Sequence, residues 1–472
     1  MNHDQRSHCC GPVKRRDFMK LGLAGFGSLT WPGLLKLKAE NAQKSGSEKT
    51  AVIMVWLHGG LSHMDTYDPK PDIGSEYRGP FDVIDTNVPG VQITELLPHH
   101  ARIADKFNIV RSMYHRSADH PAGTMNLLSG DFEARGRVKP KFPDWMSVAS
   151  YMRSQAEGQR TNPLPNYIGV CHPQEYIGPA YLGNAYLPFG VEGDLTQQKF
   201  EVPNVGLSDV AEAARLGDRV ALRQSLDLLE RRFDRAMELQ AVDEFEAQAM
   251  TLLTNPQTRD AFDLSQEDPA TRDRYGRNQW GQQLLMSRRL IEAGVDIVTS
   301  ALVGPLCGRV ANWDDHAVNH HIFNGLRFRS EPYDQAVTAL IEDIYERGLD
   351  QRVLVVVTGE FGRTPKIEYD RSTGPGNASA PTGVIQPGRD HWPRAFSNLW
   401  AGGGMRTGQV IGATDRRGED VIERGCKAGD FLATIYQHLG IDYSHVMIED
   451  FNGRPTAIVD DGKAIPELAR VS

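Results

Sequence analysis

Residues Ala51 to Leu57 (AVIMVWL) are apolar without a break and end at His58-Gly59-Gly60. A run with no polar face, closed by glycines, predicts a central parallel strand buried on both sides. Phe107–Val110, Val295–Ala301 and Val353–Val357 have the same character, the first two each interrupted by a polar residue or two. Between them, apolar positions recur at the 3.6-residue period of helices over Gln282–Ala293 and Asp334–Arg347. Gly294 and Gly348 stand at the ends of these two and lead straight into strands. Helix, glycine and strand in repetition predict a doubly wound α/β sheet, whose ligands bind beyond the carboxyl ends of the strands. Ser208–Leu253 has no Gly or Pro after Gly217 and predicts a helical hairpin insertion. The Pro/Gly/Ser-rich stretch Ser372–Gly388 predicts a surface loop. There is no internal repeat.

The first forty residues stand apart from this pattern. Lys14-Arg15-Arg16-Asp17-Phe18-Met19-Lys20 precedes a modestly apolar stretch, Leu21 to Leu35, broken by four glycines or prolines before its final Gly33. Spanning a bilayer needs about 20 apolar residues, so this stretch is too short and predicts a twin-arginine signal over residues 1–42. Ala39 and Ala42 are the candidate cleavage positions. The expected partner is the twin-arginine export machinery, and the expected location is periplasmic or extracellular. No transmembrane helix is expected in the mature chain, and membrane tethering follows only if the signal stays uncleaved.

Composition narrows the functional classes. The 472 residues are 40% hydrophobic and 24% charged, as in a globular protein, with 52 basic residues against 61 acidic ones for a net −9. Cleavage near Ala42 would remove seven basic and three acidic residues, leaving 45 against 58 and a net −13. A nucleic-acid partner is excluded, because it would need a basic surplus. Only Cys9 and Cys10 of the five cysteines are closely spaced, which excludes a disulfide scaffold and a cysteine zinc cluster.

The chemistry concentrates in histidine. Eight of the thirteen histidines beyond the signal lie in four polar strings that follow strands. These are His58-Gly59-Gly60-Leu61-Ser62-His63-Met64-Asp65, His115 to Gly123 with His120 inside it, and Trp313-Asp314-Asp315-His316 with His320 and His321. The fourth is in two pieces, Gly359-Glu360-Phe361-Gly362-Arg363-Thr364-Pro365 and Gly388-Arg389-Asp390-His391-Trp392-Pro393. Imidazoles and carboxylates spread over four such loops can converge on a divalent cation. Any single histidine is better explained as a cap or turn residue, but capping does not call for histidine in every string.

Strings matching W-x-H-G-G-x-S-H-x-D, W-D-x-H, G-E-F-G-R-T-P and G-R-D-H-W-P, in this order after a twin-arginine signal, resemble the bacterial family called domain of unknown function 1501, within the alkaline phosphatase and sulfatase superfamily. The resemblance covers about Val52 to Pro455. It implies one alkaline phosphatase-like α/β domain over residues 43–472, with a doubly wound, mostly parallel sheet, helices on both faces and the 208–253 insertion. By position it implies that His58 replaces the metal-binding acid after the first strand, that Asp314 and His316 form an Asp/His metal pair, and that His391 is the last metal histidine. Glu360-Phe361-Gly362 keeps the acid of an Asp-His-Gly triplet and loses its imidazole. The place of the sulfatase nucleophile falls on His120, so the formylglycine precursor is absent.

With the strings, the candidate metal donors are His58, His63, Asp65, Asp314, His316, Glu360, Asp390 and His391. The loss of the imidazole at Phe361 favours one ion over two, its identity open between Zn, Ca and Mg. Two routes follow: attack on the ester by water activated at the metal, or attack by His120 to form a phosphoenzyme. Arg363 and Arg389 suit a tetrahedral anion through their planar forks, and each is equally suited to a loop-stabilising salt bridge. The expected function is an exported metal-dependent hydrolase or transferase of phosphate or sulfate esters, with an anionic ester or glycan as substrate. The alternative is a non-catalytic secreted metal- or ligand-binding protein on the same fold.

Overall fold

All six residues of Ala51–Trp56 (β1) are buried, and they alternate between two cores. Ile53 and Val55 belong to one hydrophobic cluster, while Val52, Met54 and Trp56 belong to the other. A strand with no solvent face lies in the middle of a sheet covered on both sides, and each large apolar side chain buried this way stabilises the fold by roughly 1.5–3 kcal/mol. This is a computed structural model, and it describes residues 49–156, 162, 164–171, 176–197, 256–303, 312–374 and 378–471. The predicted signal (1–42) and helical insertion (208–253) lie outside the described residues. The chain divides into a small unit, Met1–Glu48 with Arg153–Gln159, and a large one, Lys49–Met152 with Arg160–Ser472. The sheet and the site belong to the large unit.

The remaining strands of the sheet are Phe107–Met113 (β2), Tyr167–Val170 (β3), Phe189–Val191 (β4), Ile297–Ala301 (β5), Val353–Thr358 (β6), Phe396–Gly402 (β7) and Val410–Ile411 (β8). Their spatial order is β8-β2-β7-β6-β1-β5-β3-β4. β1 pairs in parallel with β5 and β6, β3 with β4 and β5, and β8 with β2. Only β7 runs antiparallel, between β2 and β6. The fold is therefore the expected α/β arrangement around a mostly parallel sheet. Gln279–Glu292 (α2) and Ile322–Glu346 (α3) contribute to one core, and His120–Ser129 (α1) and Ala428–His438 (α4) to the other.

Boundaries depart from the pattern reading where packing overrides it. The helix read from Asp334 begins at Ile322 and carries Pro332 inside it. Ile322, Phe323 and Leu326 are buried, and their burial supports the extra turns despite the hydrogen bond that proline cannot make. Ser372–Gly388 is framed by a two-stranded hairpin, Glu368–Arg371 with Ile385–Gly388, rather than being loop throughout. Among the described residues no helix is long and apolar enough to cross a membrane.

Candidate metal centre

The parallel register of β1 and β6 places Trp56 opposite Thr358. His58 and Glu360, each two residues past its strand, therefore emerge together, and the Gly59 amide donates to Glu360 Oε1 at 2.9 Å. Gly59 (φ +105°) and Gly60 (φ +85°) are demanded by this crowding. A Cβ on Gly59 would lie 2.5 Å from the Asp314 amide nitrogen, and one on Gly60 2.5 Å from the Phe361 carbonyl. The loop after β2 delivers His120 as the first residue of α1, whose start is capped by Asp119 accepting from the Ala122 amide. Because β7 is antiparallel, the segment entering it reaches the same sheet edge and brings His391, which pairs across to Arg363. Asp314 and His316 join from the segment beyond β5, fixed there by the Trp313 amide donating to the His58 carbonyl at 3.0 Å.

Six expected residues thus converge. His120 Nδ1 lies 2.6 Å from Glu360 Oε1, and its Nε2 lies 3.3 Å from Asp314 Oδ2. His58 Nδ1 is 3.7 Å from Glu360 Oε1. Asp314 Oδ1 is 2.9 Å from His316 Nε2 and 3.1 Å from His391 Nε2, and these two nitrogens are 3.0 Å apart. Donor atoms of His58, His120 and Glu360 lie within 4.8 Å of one another, as do those of His120, Asp314 and His391.

Second partners fix how the imidazoles present themselves. His391 Nδ1 donates to the Ala118 carbonyl at 2.7 Å, and His316 Nδ1 contacts the Asp390 carboxylate. A hydrogen at each Nδ1 leaves each Nε2 with its lone pair, aimed at Asp314 Oδ1. Three acceptors spaced about 3 Å apart are then close enough to share one ion after a separation of a few tenths of an ångström. Glu360 is wholly buried and its Oε2 has no hydrogen-bond partner. The donor set fits a metal.

Without an ion, protons serve the same charges. Burial opposes the charged form of His120, yet its bonds to Asp314 and Glu360 outweigh this and raise its pKa to about 9. Burial would raise the carboxyl of Asp314, but His120, His316, His391 and Arg363 hold it far below the usual range. Glu360 is lowered in the same way against its own burial, by His120 and His58.

The structure corrects the placement of five expected residues. Arg389 is buried and pairs with Asp65 at 2.8 Å, with its other donors on the carbonyls of Thr364, Pro365 and Tyr77. Neither residue reaches the cluster, because this ion pair consumes both. Arg363 is equally buried; it contacts Asp314 Oδ1 and donates to the carbonyls of Gly59, Gly60 and Arg389. It braces the site from behind and presents no open fork to an anion. His63 is buried with Nε2 on the Gly418 carbonyl at 2.9 Å, and burial lowers its pKa. Asp390 sits behind His316 rather than among the converging donors.

Three contributors were not singled out by sequence reasoning. His115 Nε2 donates to the Glu360 carbonyl at 2.5 Å, and burial pushes its pKa down to about 4. The ring of Phe361 packs 4.4 Å from that of His391 and 5.3 Å from that of His120, an apolar wall where the resemblance marked only a missing imidazole. The Ala118 carbonyl orients His391. The first two stood inside the polar strings, whereas a backbone carbonyl leaves no signal in sequence.

Solved structures with a related chain path include a PsFucS1 sulfatase from Pseudoalteromonas sp., at 12% identity and TM-score 0.35, covering 88% of this chain and 72% of that one. A phosphonate monoester hydrolase of Agrobacterium radiobacter is 11% identical at TM-score 0.37, with 89% and 77% covered. A protein in the alkaline phosphatase superfamily from Vibrio parahaemolyticus is 9% identical at TM-score 0.35, with 84% and 67% covered. Scores this low carry no functional inference. A search of curated proteins finds no match. The family described as "Protein of unknown function (DUF1501)" matches residues 49–469, the whole of the sheet and every residue of the histidine cluster, and the chain belongs to that family.

Proposed function

We propose that the protein is an exported, metal-dependent hydrolase or transferase of phosphate or sulfate esters. One observation carries the reading: Ala118 and Asp390 turn His391 and His316 so that both Nε2 atoms meet Asp314 Oδ1 at the carboxyl edge of the sheet. His316, His391 and Asp314 would hold the ion, with His120 Nε2 beside them. An imidazole-rich set suits zinc better than calcium or magnesium, which prefer oxygen donors. A single ion is proposed because Phe361 stands where the resemblance places a second metal's imidazole. Export rests on the Lys14-Arg15-Arg16-Asp17-Phe18 signature.

When bound, the ion supplies Lewis-acid charge to an oxygen of the phosphoryl or sulfuryl group. The chain's residues do the rest. Both nitrogens of His120 face carboxylates, so attack by its ring would first have to break one of these contacts. This geometry favours water as the attacking group and gives His120 the role of holding a proton between Asp314 and Glu360, to be given to the leaving oxygen. Phe361 excludes water from one wall, and Arg363 keeps Asp314 ionised.

The test is a panel of aryl phosphate, phosphonate and sulfate esters. Turnover should disappear with a chelator and return with zinc, and no phosphohistidine should be trapped during phosphate ester turnover. Turnover by fully metal-free protein would contradict the proposal. The second reading, a non-catalytic binding protein, is favoured by one observation, the commitment of Arg363 and Arg389 to internal partners. Metal binding without turnover of any ester would decide for it.

A further inference from the structure

A cavity of about 440 Å³, within the size range of small-molecule sites, has in its wall His115, whose ring holds the Glu360 carbonyl of the histidine cluster. Its walls include Tyr114, Arg116, Arg394, Asp420, Ile422 and Glu423. Two of its walls, Tyr114 to Arg116 and Arg394, adjoin segments that carry the cluster, and the third is residues 420–425. Arg116 lies in the loop that runs from His115, which holds the Glu360 carbonyl, to Ala118, which holds His391. Arg394 lies three residues beyond His391.

The charges in these walls differ in commitment. Arg394 is engaged by Asp420 and lies over the Trp392 ring, and Arg424 is paired with Glu467. Arg116 is exposed and, among the described residues, has no ion pair or hydrogen bond. Glu423 is also exposed, and its carboxylate is likewise unpaired among them. The cavity thus offers one uncommitted guanidinium and one uncommitted carboxylate, beside the ring of Tyr114 and the exposed Ile422. A guanidinium fork matches a carboxylate or sulfate, a carboxylate accepts from hydroxyls, and an aromatic ring covers an apolar face.

From this we infer that the cavity is a binding site for an acidic saccharide unit, with Arg116 pairing the sugar's own anionic group and Glu423 accepting from its hydroxyls. The unit is the organic part of the ester, so the inference deepens the proposed function by naming the substrate class: an ester of a sugar that carries a second negative charge. It rests on that proposal only for what sits at the histidines. Arg116 is here a specificity-determining residue, remote from the reacting atoms.

The experiment is calorimetric binding of glucuronate, glucose and inorganic sulfate to the full chain, with and without chelator. Glucuronate carries no ester, so its binding is independent of metal and turnover. It should bind in both conditions and more tightly than glucose or sulfate. Arg116→Ala and Glu423→Gln should each weaken it by about tenfold, the worth of one charge-assisted hydrogen bond, while leaving the unfolding midpoint in place. Unchanged affinity in Arg116→Ala, equal binding of sulfate alone, or no glucuronate binding at all would overturn the inference. Failure of the ester panel with glucuronate still held by Arg116 would overturn the enzymatic reading and leave this site standing.

Discussion

Nε2 of His316 lies 3.0 Å from Nε2 of His391, with the far nitrogen of each ring held by a separate acceptor. Two lone pairs at this distance repel unless a proton or a cation lies between them. A metal ion held by both rings would be that cation, and an N–H shared between them would be that proton. Asp390 fixes one of the two from behind.

Asp390→Ala should therefore weaken metal binding without removing a direct ligand. Loss of a carboxylate behind a ligating histidine typically costs about 10–100-fold in affinity. Competition against a chromophoric chelator measures this directly. An unchanged affinity would mean that His316 is oriented by something other than Asp390, or that it is no ligand.

Arg389 and Asp65 should matter for folding and not for chemistry. Both side chains are essentially buried, and removing one partner strands the other charge. Arg389→Ala is expected to lower stability by about 3–5 kcal/mol in urea unfolding. Arg389→Lys should recover only part of this, since an ammonium cannot reproduce the forked contact with Asp65 and three carbonyls. A fully stable Arg389→Ala that loses ester binding would restore the anion-binding role.

Asp144 predicts a pH dependence away from the site. It is buried, its Oδ1 accepts from the Ser147 amide at 2.8 Å, and burial raises its pKa to about 6. Between the unfolded value near 3.9 and the folded one, the native state keeps a proton that the unfolded chain releases. Its contribution to stability is therefore full below the unfolded pKa and falls as pH rises toward 6, by about 3 kcal/mol in all. Asp144→Asn should flatten this slope in denaturation curves between pH 4 and 6. An unchanged slope would assign it to other groups.

Much of the fold was legible because the central strands bury both faces. β1 and β6 read as unbroken apolar runs, and their glycine-closed ends located the site. β7 escaped because Ser397 and Asn398 interrupt it, although both are buried and Asn398 Oδ1 accepts from Trp400 Nε1 at 2.9 Å. A polar residue buried inside the sheet looks, in sequence, like one facing water. β3 and β4 are short and carry Gly169 and Gly190, which suit a turn equally well.

The site divides in the same way. Histidines after strands were legible because the strand ends fix where they go. The directions of Arg363 and Arg389 were not, since a guanidinium in a loop can reach outward to a ligand or inward to carbonyls. Here Gly59, Gly60, Thr364 and Pro365 supply the carbonyls, and the inward choice wins. The polar strings marked the region where these side chains converge while leaving the division between donors and supports to three-dimensional packing.

Arg116→Ala should separate recognition from the metal centre. Because Arg116 is exposed and unpaired among the described residues, its removal should leave stability within about 0.5 kcal/mol and metal content unchanged. KM for an acidic sugar ester should rise while kcat is kept, and an aryl ester without the second charge should be unaffected. Equal losses on both substrates would place Arg116 in the folding of the 114–120 loop instead.

The most direct test of the central claim is elemental analysis of the purified, folded protein after exposure to zinc, calcium and magnesium. The geometry predicts roughly one ion per chain, zinc ahead of the others, lost in His391→Ala and retained in Arg116→Ala. A protein of undiminished stability that takes up no metal from any of the three would contradict it.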